Sequence, residues 1–382
     1  MGHLPEGYEV PDYDITFTAD TEGNIEITSD NATVEVTDSM TYIVVTLKVD
    51  EGGEEDDDDP AKIAGASVIL GTDLKMKYHV DIIDEELLEG IDQISMRFTR
   101  NGKMATVGGV YNETTGYYVF SFENIPPQCM GDNIKAELLF GETVIAEKAE
   151  YSVKQNLSNI LENNSDDVDL VQLITDILTY GAAAQNYKDY NTESLANADV
   201  ENLGTPSTAL PKKSDKSVTA SLSDTVYFTA ATVRFDNVNK IGIKLSTTEN
   251  ARLFINSDEI TLGDELYYYT DAIYATEFDK VFKFTLHDGK TLVQTLTYSV
   301  SSYVYSMQSS ENAEMVALAN ALYNYGMSAK RYAHMLNCDG EYIYTHTDNG
   351  DGTHNRICSI CGYVETENET HTFDDTDGEC QF

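Results

Sequence analysis

The chain has 382 residues, with 66 Asp+Glu against 24 Lys+Arg and a formal net charge of -42. Such a surface repels phosphate backbones and anionic lipid, which disfavours nucleic-acid and membrane-surface binding. No run of 18 apolar residues is present, so no membrane insertion by a helix is expected, and the length predicts two or three domains.

Tyr is abundant at 25 residues and Trp is absent, a composition common in surface-exposed β proteins and suggestive of an extracellular location. The opening MGHLPEGYEVPDYD has neither a basic nor an apolar leader segment, and the sequence stops two residues after Cys380. A piece of a longer polypeptide is the expectation.

Residues 1–50 read as an N-terminal β-hairpin segment: Ile15/Phe17, Ile25/Ile27, Val34/Val36 and Ile43/Val45/Leu47 alternate with period two between turn residues. Residues 51–63 contain the acidic run EGGEEDDDDP and read as a solvated linker. Residues 64–190 form a first unit of strands closed by a helix. Asn101-Gly102 within it is a strong hairpin signal. Residues 191–215 are polar and contain Pro, as a linker would. Residues 216–336 repeat the plan: ATVRF at 231–235 matches ASVIL at 66–70, and Tyr298-Ser299-Val300 matches Tyr151-Ser152-Val153.

The duplication is clearest in the helix that closes each unit. LITDILTYGAAAQNY begins at Leu173 and its echo LANALYNYGMSAKRY at Leu318, an offset of 145 residues. Leu170, Leu173, Ile174, Ile177, Leu178, Gly181, Ala184 and Tyr187 make a single helical stripe, and Met315 to Tyr332 repeat it. Glycine inside a helix costs about 1 kcal/mol relative to alanine. Its recurrence at Gly181 and Gly326 therefore predicts close approach of the helix backbone to a neighbouring segment, with Tyr180 and Tyr325 beside it. Leu157/Ile160 and Val304/Met307 predict a short preceding helix or turn in both copies. The fold class expected is mainly β with α: two β-sandwich-like units, each closed by a C-terminal helix, and a small tail.

ASVIL, LKMKYHV, IPPQCMGDNI, AEYSVKQNLSNIL and TYGAAAQNY together resemble a module of large secreted or cell-surface proteins of gut Clostridia and Ruminococcus-type bacteria. The resemblance covers most of residues 64–190 and, more weakly, 216–335. It implies an extracellular bacterial location with adhesion or scaffolding, and brings no catalytic residues.

Residues 337–382 hold four of the five cysteines. Cys358-Ser-Ile-Cys361-Gly362 is half of a zinc knuckle, since CxxC on a tight turn lets two thiolates face one ion. His354 precedes it by four residues, His371 follows by ten and Cys380 by nine more. The tail also resembles a small module of the same surface proteins. Two readings stand: structural zinc on Cys358, Cys361, Cys380 and either His371 or His354, or disulfides among Cys338, Cys358, Cys361 and Cys380. DNGDGT at 348–353 fails the register of a calcium loop and reads as a hairpin turn.

GxSxG, HExxH, GxxxxGK[ST] and GxGxxG are all absent, so no enzyme is expected. His79 and His287 read as strand residues, and Cys129 as a buried small hydrophobe. The leading expectation is a non-enzymatic surface module acting as spacer, scaffold or adhesion unit, with a glycan or a host or bacterial surface protein as partner. The alternative is a carbohydrate-binding accessory module using Tyr267, Tyr268 and Tyr269; an unrecognised hydrolase is third.

Overall fold

The structure is a computed structural model and describes residues 16–19, 25–29, 32–36, 43–47, 60–71, 73–235, 237–338, 344–348, 353–359 and 363–370. The fold is mainly β with α, as the alternation predicted. Two compact units are present: Met1–Leu70, Lys75–Glu123 and Asp132–Asn156 form one, and Gly71–Leu74, Asn124–Gly131 and Leu157–Phe382 the other.

The strands of the first part of the chain are β1 (Thr16–Ala19), β2 (Ile25–Ser29), β3 (Ala32–Val36), β4 (Ile43–Leu47), β5 (Ala61–Leu70) and β6 (Leu74–Ile82), then a short α1 (Glu85–Glu89). They continue as β7 (Ile94–Arg100), β8 (Lys103–Gly108), β9 (Val110–Tyr111), β10 (Tyr118–Ile125), β11 (Ile134–Phe140) and β12 (Thr143–Tyr151). One sheet runs β1-β2-β3-β4-β5-β6-β10-β9 and a second β12-β11-β7-β8. The four early strands therefore exist as the alternation predicted. The acidic run at 51–59 lies outside the described residues.

Strict alternation in β6 and β7 puts Met76, Tyr78, Met96 and Phe98 on inner faces, all fully buried. Tyr78 of one sheet meets Phe98 of the other with ring centroids 5.1 Å apart, the contact expected between two facing sheets. Asn101 and Gly102 both take positive φ, 48° and 73°, which is what a two-residue hairpin with matching twist requires. Arg100 pairs with Lys103 across that turn. His79 hydrogen-bonds Ser67 at 3.0 Å, and Cys129 is buried in a 3-10 turn at Pro127–Cys129.

Next come α2 (Val153–Asn163), α3 (Val168–Lys188), β13 (Ser217–Val218), β14 (Tyr227–Phe235), β15 (Asn239–Ser246), β16 (Ala251–Ile255), β17 (Asp258–Ile260) and β18 (Tyr268–Tyr269). A 3-10 turn at Ala275–Glu277 precedes β19 (Phe282–Asp288), β20 (Thr291–Tyr298), α4 (Val300–Met307) and α5 (Ala313–Asn337). The tail supplies β21 (Tyr344–Asp348), β22 (Thr353–Cys358) and β23 (Val364–Thr370). Sheets run β13-β20-β19-β16-β17, β14-β15-β18 and β21-β22-β23. Val226, Leu253, Tyr268, Leu286 and Val293 form a shared core beneath the first two.

Both repeated helices are preceded by the short helix that the sequence predicted, α2 and α4. Asp167 caps α3 by accepting from the N–H of Leu170, and Asn312 caps α5 by accepting from the N–H of Met315. The stripe is buried, but its glycines face turns rather than a sheet. A Cβ on Gly181 would lie 2.7 Å from Met130 Sδ and 3.2 Å from the Pro127 carbonyl oxygen. A Cβ on Gly326 would overlap the Phe278 ring and lie 3.0 Å from the Ala275 carbonyl oxygen. The two 3-10 turns thus take equivalent places against the two helices. The helices also pack on each other: Tyr180 and Tyr325 stack with centroids 6.0 Å apart and planes 9° from parallel.

The segment read as a linker after α3 is tied along that helix. Gly204 N–H donates to Thr175 Oγ1 at 2.9 Å, and Ser207 donates through N–H and Oγ to the two oxygens of Asp176 at 2.8 and 2.7 Å. This accounts for Thr175 and Asp176, polar residues of α3 that are fully buried.

Candidate metal centre

The last turn of α5 and the end of β22 converge on three soft donors. His334 and Cys338 are four residues apart, hence one above the other on the same helix face. Cys338 is the C-cap residue, and its N–H donates to the His334 carbonyl at 3.0 Å. Cys358 closes β22, where its N–H donates to the Tyr363 carbonyl at 2.8 Å. The strand is held by its ladder to β21, Tyr344 opposite Cys358 and Asp348 opposite His354. The sequence reading of DNGDGT as a hairpin turn falls on residues 349–352, outside the described residues.

The Sγ atoms of Cys338 and Cys358 are 3.7 Å apart. The donor atoms of His334, Cys338 and Cys358 all lie within 4.8 Å of one another. Two thiolates bound at about 2.3 Å to one tetrahedral ion stand about 3.8 Å apart, whereas a disulfide holds its sulfurs at about 2.05 Å. The separation fits the first arrangement. Exposures of 3% for His334, 3% for Cys338 and 1% for Cys358 mean that all three donors are out of water. The Tyr363 ring lies flat on the His334 imidazole, centroids 4.6 Å apart and planes 16° apart, which fixes the imidazole's orientation. Buried thiol and imidazole donors suit a structural ion, which takes four ligands; three of them are among the described residues.

Of the residues singled out from sequence, Cys358 is in this cluster. His354 is buried four residues away along β22, a strand distance of about 13 Å, with its ring against His346 at 4.9 Å. Cys361, His371 and Cys380 lie outside the described residues. Cys338, read from sequence as a disulfide partner, is in the cluster as a thiol donor, and His334 was not singled out at all. The signal for it was present: His-x-x-x-Cys at the end of a predicted helix is metal-ligand spacing on one face.

Tyr267, Tyr268 and Tyr269 do not form one exposed strip. Tyr268 is 7% exposed, and its hydroxyl donates to the Gly263 carbonyl at 2.6 Å and accepts from the Gly263 N–H at 3.1 Å. Alternation along β18 leaves Tyr267 and Tyr269 together on the opposite face. Among the described helices none is long and apolar enough to cross a membrane. No protein-family model matches the chain, and no curated protein matches it.

Proposed function

We propose that this chain is a non-enzymatic extracellular bacterial surface module, a spacer or adhesion scaffold, whose tail is fastened by a structural zinc ion. The observation that carries the reading is the buried cluster of His334, Cys338 and Cys358. Two thiolates and an imidazole in a tetrahedral setting favour zinc among abundant divalent ions. Cys361 of the CxxC pair is the fourth ligand that the spacing offers. The ion would join the end of the second repeated helix to a three-stranded sheet too small to bury a core of its own. The spacer role is supported by the repeated Tyr-Gly positions of α3 and α5, which are occupied by packing.

Elemental analysis of the purified full chain tests this. One zinc per chain is expected, with most of it lost in His334→Ala and Cys338→Ser and retained in His371→Ala and Cys380→Ser. Zinc retained in the first two variants and lost in the last two would replace the helix-end ligands by the tail set. A chain without metal, whose thiols react only after reduction, would replace the ion by disulfides.

A further inference from the structure

The outer face of the β14-β15-β18 sheet gathers basic residues of a strongly acidic chain. Of only 24 Lys+Arg in 382 residues, three share this face. Arg234 lies opposite Lys240, and Lys244 lies two residues beyond Gly242 on the same side of β15. Lys240 and Lys244 are both partly exposed, and neither is in a salt bridge among the described residues. Beside them are Tyr267 and Tyr269, whose rings both lie over Gly242. A Cβ there would meet Tyr269 Cε1 at 2.7 Å and Tyr267 Cδ1 at 3.4 Å. Glycine at that position lets the rings lie against the sheet instead of standing away from it. Their centroids are 6.2 Å apart and their planes 36° apart, and the Arg234 guanidinium is 5.8 Å from the Tyr269 centroid.

The platform is held from below. Tyr268 is locked to Gly263, and the Thr270 side chain accepts from the Ile241 N–H at 3.1 Å while its own N–H donates to the Ile241 carbonyl at 3.0 Å. Both ends of the short strand are therefore fixed before any ligand arrives, which lowers the ordering cost of binding.

We propose that this face binds an anionic polysaccharide, a chain of uronic-acid type. The two tyrosine rings offer apolar faces on which pyranose C–H groups stack, and Arg234, Lys240 and Lys244 sit where sugar carboxylates would be drawn. A neutral glycan would make no use of the charges on Lys240 and Lys244, and an acidic peptide would make none of the laid-down rings. The negative charge elsewhere does not forbid the contact, because at physiological salt the Debye length is about 8 Å and the nearest charges dominate. The site is independent of the metal at the tail, so either can fail without the other.

Titration calorimetry on the full chain tests it, with a short galacturonic-acid oligomer, its methyl-esterified form, a neutral cello-oligomer and a poly-glutamate peptide. The acidic oligomer is expected to bind with Kd on the order of 0.1–1 mM, weakening as salt is raised. The esterified and neutral oligomers should bind at least about tenfold more weakly. Tyr269→Ala and, separately, Lys240→Ala with Lys244→Ala should each weaken binding at least about tenfold with zinc content and melting unchanged. If Tyr269→Ala lowers the melting temperature, the lysine pair still decides. No binding of the acidic oligomer at about 10 mM, equal binding of its ester, or poly-glutamate binding as tightly with Tyr269→Ala indifferent would overturn the proposal.

Discussion

Replacing Gly326 by alanine isolates the reason for a glycine in the middle of a long helix. Alanine would gain about 1 kcal/mol from helix propensity alone. Against this, its Cβ would overlap the Phe278 ring and sit 3.0 Å from the Ala275 carbonyl oxygen. Phe278 is 3% exposed and its ring edge meets Tyr325 with centroids 6.5 Å apart, so it has nowhere to turn. Its carbonyl is also held by the Ser301 N–H at 2.9 Å. Overpacking of a fixed core costs about 1–3 kcal/mol beyond the transfer gain, and a backbone oxygen among the obstacles places Gly326 at the upper end. The net expectation is a loss of about 1–2 kcal/mol, or about 2–6 °C in Tm for a unit of this size. Gly181→Ala is the internal control: its nearest obstacle is the flexible Met130 Sδ, with Ala196 Cβ at 3.0 Å and the Pro127 carbonyl oxygen at 3.2 Å behind it, so its loss should be smaller than that of Gly326→Ala. Thermal melts followed by far-ultraviolet circular dichroism report mainly on the long helices. A Gly326→Ala protein at least as stable as the parent, or a Gly181→Ala protein that loses more, would refute close approach as the reason for these glycines.

Chelation of the metal should loosen the tail and leave the strands before it intact: amide exchange in β22 should speed up while β19 and β20 keep their protection, and uniform change across the chain would count against a local staple. Asp176→Ala removes the acceptor of both Ser207 hydrogen bonds; a loss of about 2 kcal/mol is expected, with new proteolytic cleavage near residues 204–207, and an uncut chain of parent stability would show the strap to be held elsewhere. Glu137 is held at about 2, well below its ordinary 4.5, by hydrogen bonds from Arg97 and then Lys135. Because this folded-state value is depressed, its contribution is present above the ordinary value and is lost as pH falls from about 4.5 through about 2. Acid unfolding of Glu137→Gln should accordingly show a shallower stability loss across that interval; parallel curves would remove Glu137 as a source of acid sensitivity.

The hairpin at Asn101-Gly102 and the helical stripe were legible because period and turn chemistry are local properties of a sequence. The partner of the stripe was not. Apolar spacing says that Gly181 needs a close neighbour; it carries no information on whether that neighbour is a sheet, a 3-10 turn or the other copy's helix. The buried polar pair Thr175 and Asp176 was hidden for the same reason, since their partners at Gly204 and Ser207 are about thirty residues further on. At the metal centre, the CxxC motif drew attention to the neighbouring tail residues. The described donors that meet Cys358 come from a helix end about twenty residues upstream, where His334 reads as ordinary helix and Cys338 as a disulfide candidate. Tyr268 and its neighbours show the converse: three adjacent tyrosines look like one surface strip until the pleat turns the middle one inward.

The stacking of Tyr180 on Tyr325 has a further meaning. The two tyrosines stand at matching places of two similar helix sequences, and a residue meeting its counterpart is the contact found at the axis of a two-fold homodimer, here made within one polypeptide. The covalent connection between copies supplies the effective concentration that a free dimer must obtain from solution. Cutting the chain between the two helices would separate two faces that are each buried in the intact chain. A fragment ending near residue 190 is better regarded as half of an interface than as a domain, and it should self-associate more than the intact chain does.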